Sequence, residues 1–454
     1  MNRMNHMNTK KYFYHLSLAL LLIVAISACN DDNPASVVID DPDDETVVTI
    51  TDQISQLEGP MRGVLLSGKT YELVGDLIIP EGEEIVLEPG VTIIAVGDGG
   101  DIGPEITVHG SFHSLGSRQN PNLLSVPANM RTHENRFAGF WGGIQGSETT
   151  ASIVLKWTRM EYTGGEAGPG TPRAGRIRYG IWTLSDQTEV VIEDSWFYGS
   201  KDDFYRPVGG KLNIVRNIFE EMGEDGGDII NVKGGTVGNI AYNLVIGGAT
   251  NAFKPSDDGE STIQSNIGIY NNTILNSGYR RAGLNRGANI NFENGARGFA
   301  YNNILVNNKR GIRVLEDSDL TNIDVDYNLY YATHQEMADE FIPTDSEAST
   351  LQVMGGSNYY GDPGDYNPLF VNYDIDRYSM DDYNAGETQP LEMNIASPWD
   401  FRLQSGSPAI GSGRTNFDPV PVSFTLTGEA APTIMQPSAD LGAYPSNGGG
   451  LLLN

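Results

Sequence analysis

Six stretches in the middle of the chain share one pattern: "VVIEDSWFYG", "LNIVRNIFEEMG", "GNIAYNLVIGG", "IGIYNNTILNSG", "GFAYNNILVNN" and "IDVDYNLYYA". Each is a short β-prone apolar run broken by Asn or Asp, and most close on glycine or asparagine. Aligned, the polar position falls at Asp194, Asn217, Asn243, Asn272, Asn303 and Asn328, in steps of 23, 26, 29, 31 and 25 residues. A repeat of this length with variable insertions is the pattern of a solenoid. The apolar residues around each Asn are then expected to face inward. The Asn itself is expected at a bend, where it tolerates left-handed backbone and bonds to neighbouring main chain.

From Gly68 onward, "YELVGDLIIPEGEEIVLEPGVTIIAVGDG" alternates apolar and polar residues between Gly/Pro corners. With 54 glycines and 23 prolines, and no long apolar stripe of helical period, helices are disfavoured. The predicted fold is all-β: one right-handed parallel β-helix over residues 47–454, each coil pairing its strands with those one coil away. A sandwich or propeller of short strands is the alternative, against which the irregular spacing and repeated Asn count. Residues 333–366 are acidic and are expected to leave as a side loop opening on a short helix. "ITVHGSFHSLGS", "FWGGIQG" and "VLKWTRMEYTGG" resemble coils of secreted bacterial β-helix proteins. "YNPLFV", "DFRLQSGSPAIGSG" and "ADLGAY" resemble the closing segments of right-handed β-helix (pectate-lyase-like) proteins, many of them polysaccharide lyases. This resemblance implies architecture rather than function.

The N-terminus reads differently. Lys10 and Lys11 precede "YFYHLSLALLLIVAISA", which ends at Cys29, so residues 1–28 are expected to be a secretory signal. "ISAC" resembles a bacterial lipobox, and the "NDD" after it resembles the export tag of surface lipoproteins of Bacteroidetes-type bacteria. That resemblance implies lipidation at Cys29, an acidic tether over residues 29–46 and a surface-exposed position on the outer membrane. The formal charge is −30, and losing Arg3, Lys10 and Lys11 takes it to −33. Such a charge argues against nucleic acid as partner, and a monomer is expected. Between Arg173 and Arg313, however, 16 basic residues meet 15 acidic ones. An anionic ligand is least repelled there.

Cys29 is the single cysteine, so the folded part has neither disulfide nor thiolate metal site. Four histidines lie beyond the signal: His109, His113, His133 and His334. His109 and His113 are expected in strand and turn, where i,i+4 residues do not share a face, so a histidine metal site or Ser-His-Asp triad has little support. Any catalysis is left to carboxylates, Lys, Arg, Tyr or a bound cation.

"EDGGDIINVKGG", Glu224 to Gly235, resembles the calcium-and-lysine strand of the alginate lyase and chondroitinase B family. The resemblance implies Lys233 as the base of a β-elimination, with Asp228 before it. A bend near Ile230 or Asn231 is needed to bring both to one side. A second cation is implied one coil later, where this chain has Lys254 instead of arginine and Pro255 instead of histidine. Arg281 is another candidate helper. Glu224, Asp225 and Asp228 are the candidate ligands of a calcium ion, which would neutralise a uronate carboxylate. Tyr279, Arg280 and Arg286 in "SGYRRAGLNRG", together with Arg313, are candidate substrate contacts. With Arg173, Arg176, Arg178 and Arg310 they could form a stripe that clamps carboxylates or sulfates. Pairing with nearby acids is the alternative. Trp182, Trp196, Tyr198 and Tyr205 are candidate sugar platforms, with core packing the expectation for Trp196.

Three functions stay open. The first is a surface lipoprotein that binds or handles extracellular polysaccharide. The second is a polysaccharide lyase acting on a uronic-acid glycan. The third is a structural or adhesive solenoid.

Overall fold

Ile192, Ile214, Ile240, Ile269, Ala300 and Val325 occupy one row of paired strands, each parallel to the next and each fully buried. The chain therefore returns to the same place after every repeat step, which only a parallel crossover permits. The computed structural model describes residues 46–452, except 98–101, 169–173, 260, 282, 284–285, 388–390, 392 and 394–396. The expected signal, Cys29, almost all of the tether, and Arg173 lie outside the described residues. Among the described residues no helix is long and apolar enough to cross a membrane.

The described strands form an all-β, 28-stranded sheet of parallel pairs, plus one antiparallel pair, Phe370–Asn372 with Asp400–Leu403. Pairing runs in three columns. One contains Glu84–Leu87, Ser111–Leu115, Ser152–Lys156 and Glu189–Glu193. The second contains Trp196–Ser200, Ile218–Met222, Leu244–Gly248, Thr273–Leu275 and Ile304–Val306. The third contains Ile181–Thr183, Tyr205–Val215, Ile230–Asn231, Phe253–Lys254, Ile290–Phe292 and Ile312–Val314. Inward residues of all three meet in one core, whose apolar area drives the fold.

The asparagines make a column of their own. The side-chain oxygens of Asn243, Asn272, Asn303 and Asn328 each accept from the backbone N–H of the preceding ladder residue at 3.0–3.1 Å. They also accept its side-chain amide at 2.9–3.0 Å. Each amide donates in addition to a main-chain carbonyl, as Asn272 does to Ile240 at 3.0 Å. All four are fully buried, and the ladder satisfies main chain that the core would leave unpaired.

Two expectations need correction. Asp194 is not the ladder residue: Ser195 is, its N–H donating to Asn217 Oδ1 at 3.0 Å. Nor do the ladder asparagines carry the left-handed backbone. The residue before each does, at Asp194, Arg216, Tyr242, Asn271, Asn302 and Tyr327, with φ between 50° and 58°. The corner turns one residue early, freeing the next side chain to point along the column. The expected side loop also returns to the sheet. After the short helix Gln335–Ala338, Asn358 caps the ladder by accepting from Asn328 N–H at 3.0 Å, and Tyr359 pairs with Leu329.

The C-terminal segment runs back as a strap over the first column. Asn239 and Val420 exchange two bonds of 2.9 Å, Thr425 N–H donates to Glu189, and Lys156 Nζ donates to Ala431 O at 2.6 Å. Tyr270 OH donates to Met435 O at 2.6 Å. Val154 and Val191, outward on their strands, are buried beneath it against Ala430.

Candidate functional site

Outward positions of the third column follow one register: Trp182, Arg206, Asn231, Lys254, Asn291 and Arg313. Loops preceding these strands bring Asp203 and Asp228 beside them. Together with Arg281 and Arg286 from the longest inter-repeat loop, they enclose a polar cleft of about 240 Å³. Six cations and four carboxylates line it. A cavity of about 520 Å³ adjoins it, shares Arg281 and Arg310, and adds Tyr279 and Met337.

Strand alternation alone would put Asp228 and Asn231 on opposite faces. Ile229, Ile230 and Val232 all enter the core, so the chain bends at Ile229–Ile230 and both polar residues reach the cleft. Asp203 anchors the bend: its Oδ1 accepts Asp228 N–H at 2.6 Å, and its Oδ2 accepts from Asn231 at 2.8 Å and Arg206 at 3.1 Å. Asp228 Oδ1 accepts from both the N–H and the amide of Asn251, at 3.0 and 2.6 Å. Burial, then the Asp203 charge, push the Asp228 pKa up to about 6, against the pull of Lys254.

Lys254 occupies the centre of the cleft, 3.1 Å from Glu293 and 3.8 Å from Asp228. Burial alone would lower its pKa, but Asp228 and Glu293 outweigh it and hold the lysine charged. Lys233 lies two positions beyond Asn231, nearly buried, with Asp258 at 3.3 Å. Burial, followed by the charges of Lys254 and Arg206, lowers its pKa below the ordinary lysine value.

The other candidates separate sharply. Arg313 faces the cleft but is gripped by Asp345 at 2.6 Å and Glu347 at 3.2 Å, and Arg310 is paired with Glu340 and Asp345. Arg281 and Arg286 have no carboxylate partner among the described residues, and each opens onto the cleft. Arg280, next to Arg281, does not line the cleft. It is buried elsewhere, on Glu221 at 3.2 Å and the carbonyls of Gly223 and Met222. Tyr279 packs against Tyr383 at 4.7 Å at the edge of the adjoining cavity. Arg178 is buried on Glu105 at 2.8 Å, so the wider arginine stripe does not form. Trp196 is buried, stacked on Tyr198 at 5.6 Å.

Glu224 and Asp225 are exposed while Asp228 is buried, so the expected calcium cradle is not assembled from these three. Among the described residues no group of three or more His, Cys, Asp or Glu side chains could hold a metal. Sequence reading missed Asp203 and Arg206, which sit outside the repeat motif. Their only signal is position: 25 residues separate Asp203 from Asp228, and likewise Arg206 from Asn231. In comparisons with known proteins, no family model, no curated protein and no solved structure matches the chain.

Proposed function

We propose that the chain is a right-handed parallel β-helix, lipid-anchored at the cell surface, that binds an acidic extracellular polysaccharide along this cleft. The parallel columns and the asparagine ladder support the architecture. One observation carries the function: in a protein of charge −30, Arg281 and Arg286 stand without carboxylate partners among the described residues, over a cleft already lined by Arg206, Lys254 and Arg313. Among these residues Arg281 Nη1 donates only to the Asp225 carbonyl, at 3.4 Å, and guanidinium groups free of carboxylates match carboxylate or sulfate groups of a ligand. The adjoining cavity extends the cleft beyond one sugar unit. Titration calorimetry with uronate, sulfated and neutral oligosaccharides tests the proposal. Binding confined to the acidic ones, weakening with salt, is expected. Equal affinity for neutral chains would overturn it.

Asp228 gives the binding a pH dependence. As pH falls from 7 to 5 it takes up a proton, since its pKa is about 6, and the cleft loses one negative charge. Affinity for an anionic glycan should therefore rise on acidification, and the rise should vanish in Asp228→Asn.

A lyase reading draws on one further observation, the depressed pKa of Lys233 beside Lys254 and Arg206. A lysine whose pKa is lowered in this way gives up its proton more readily and is better placed to remove the one next to a uronate carboxylate. If this is right, incubation with alginate, pectate or glycosaminoglycans produces the ultraviolet absorbance of a new double bond. Lys233→Ala then loses that signal while keeping glycan binding.

A further inference from the structure

A second constellation lies in the first column, away from the cleft's. Register aligns Glu84, Ser111 and Ser152 in one row, and Val86, His113 and Val154 in the next outward row. His113 reaches diagonally across both neighbours. Its Nδ1 is 2.7 Å from Glu84 Oε1, and its Nε2 is 2.8 Å from Ser152 Oγ. The Ser152 hydroxyl donates to Ser111 Oγ at 3.0 Å.

We propose that Ser152, His113 and Glu84 are a nucleophile, base and orienting carboxylate, forming a serine-hydrolase site for a short acyl ester. Order and distances are those the chemistry requires: a hydroxyl on one ring nitrogen, a carboxylate on the other. The carboxylate fixes the tautomer, placing the proton on Nδ1 and leaving Nε2 free to accept from Ser152 once that hydroxyl turns from Ser111. Burial lowers the His113 pKa, with Glu84 opposing, so the ring is a neutral base at pH 7.

Surroundings select the substrate. Ser152 is 4% exposed and His113 8%, while the Glu84 side chain is half exposed, so the relay meets solvent at its carboxylate end. The strap turn Gly428–Ala430 packs against Ser111–Leu115, and Ala430 meets Val154 and Val191 in a small apolar patch. That patch, in the same row as His113, is the apolar surface against which a short acyl group would pack.

In the reaction, Ser152 Oγ adds to the ester carbonyl carbon and its proton passes to His113 Nε2. The carbon–oxygen bond to the alcohol breaks, and His113 returns the proton to the departing alkoxide. Water then attacks the acyl-serine by the same route, releasing the carboxylic acid and restoring Ser152.

Two measurements on the purified chain test this. A fluorophosphonate probe followed by peptide mass spectrometry should give an adduct on Ser152. Hydrolysis of p-nitrophenyl acetate should fall at least about 100-fold in Ser152→Ala and in His113→Gln, with unchanged circular dichroism. Glu84→Gln should lose less. Absence of both adduct and hydrolysis in the folded wild-type chain overturns the proposal, as does a Ser152→Ala variant that keeps the rate. Glycan binding in the cleft is untouched by either result.

Discussion

Asn272→Leu is expected to destabilise the protein by about 3–6 kcal/mol, because it strands buried polar groups on both sides of the mutated row. The Asn272 side chain accepts from the Asn243 N–H and from its amide, each at 3.0 Å. It donates to Ile240 O and to Asn303 Oδ1, again at 3.0 Å. Leucine removes these partners at a fully buried position, leaving two donors and one carbonyl short at roughly 1–2 kcal/mol each. Native stability is itself only about 5–15 kcal/mol, so the loss is a large share. At the end of the ladder the outcome should differ. Asn358 is only half-buried, and water can replace it, so Asn358→Leu should cost less than half as much. Denaturant unfolding of both variants measures the difference. An interior variant that loses under about 1 kcal/mol, or an equal loss at both positions, would remove the ladder from its stabilising role.

The second large effect is on affinity. Replacing Arg281 and Arg286 together by alanine should weaken binding of an acidic oligosaccharide about 100-fold, roughly tenfold for each lost charge-assisted contact. Neither residue is tied to a carboxylate among the described residues, so stability should hardly change. Lysine replacements should recover only part of the affinity, since a point charge lacks the guanidinium fork. Arg313→Ala provides the contrast. It takes the arginine from Glu347 and leaves Asp345 with Arg310 alone, so its main effect should be to loosen the 333–366 segment. Calorimetry of the double variant decides the matter: affinity within twofold of wild type would mean that the ligand, if any, sits elsewhere.

Much of the architecture was legible because every repeat must solve the same problem. From Asn217 onward each crossing carries a buried amide at the corner, so asparagine recurs at Asn217, Asn243, Asn272, Asn303 and Asn328. The misassignment at Asp194 has a physical basis: two adjacent residues share the corner, one bending the backbone and one bonding along the column. The cleft was less legible. Arg280 and Arg281 are neighbours in sequence, yet one closes a buried ion pair with Glu221 and the other opens to solvent. Only the path of the loop separates them. The Ser152–His113–Glu84 relay was invisible for a related reason: its members come from three successive strands of one column, and single-chain spacing carries no trace of diagonal neighbours.

The C-terminal strap sets a temporal order on folding. Ala431 bonds to Lys156, 275 positions earlier, and Thr425 to Glu189. A growing chain emerges N-terminal end first, so these rows can stack long before their cover exists. Until the final forty or so residues arrive, Val154 and Val191 stay wet and the Glu189 carboxylate lacks its clasp. A protease that trims the tail would leave a protein still wound but bare along one flank, an exposed apolar seam prone to self-association.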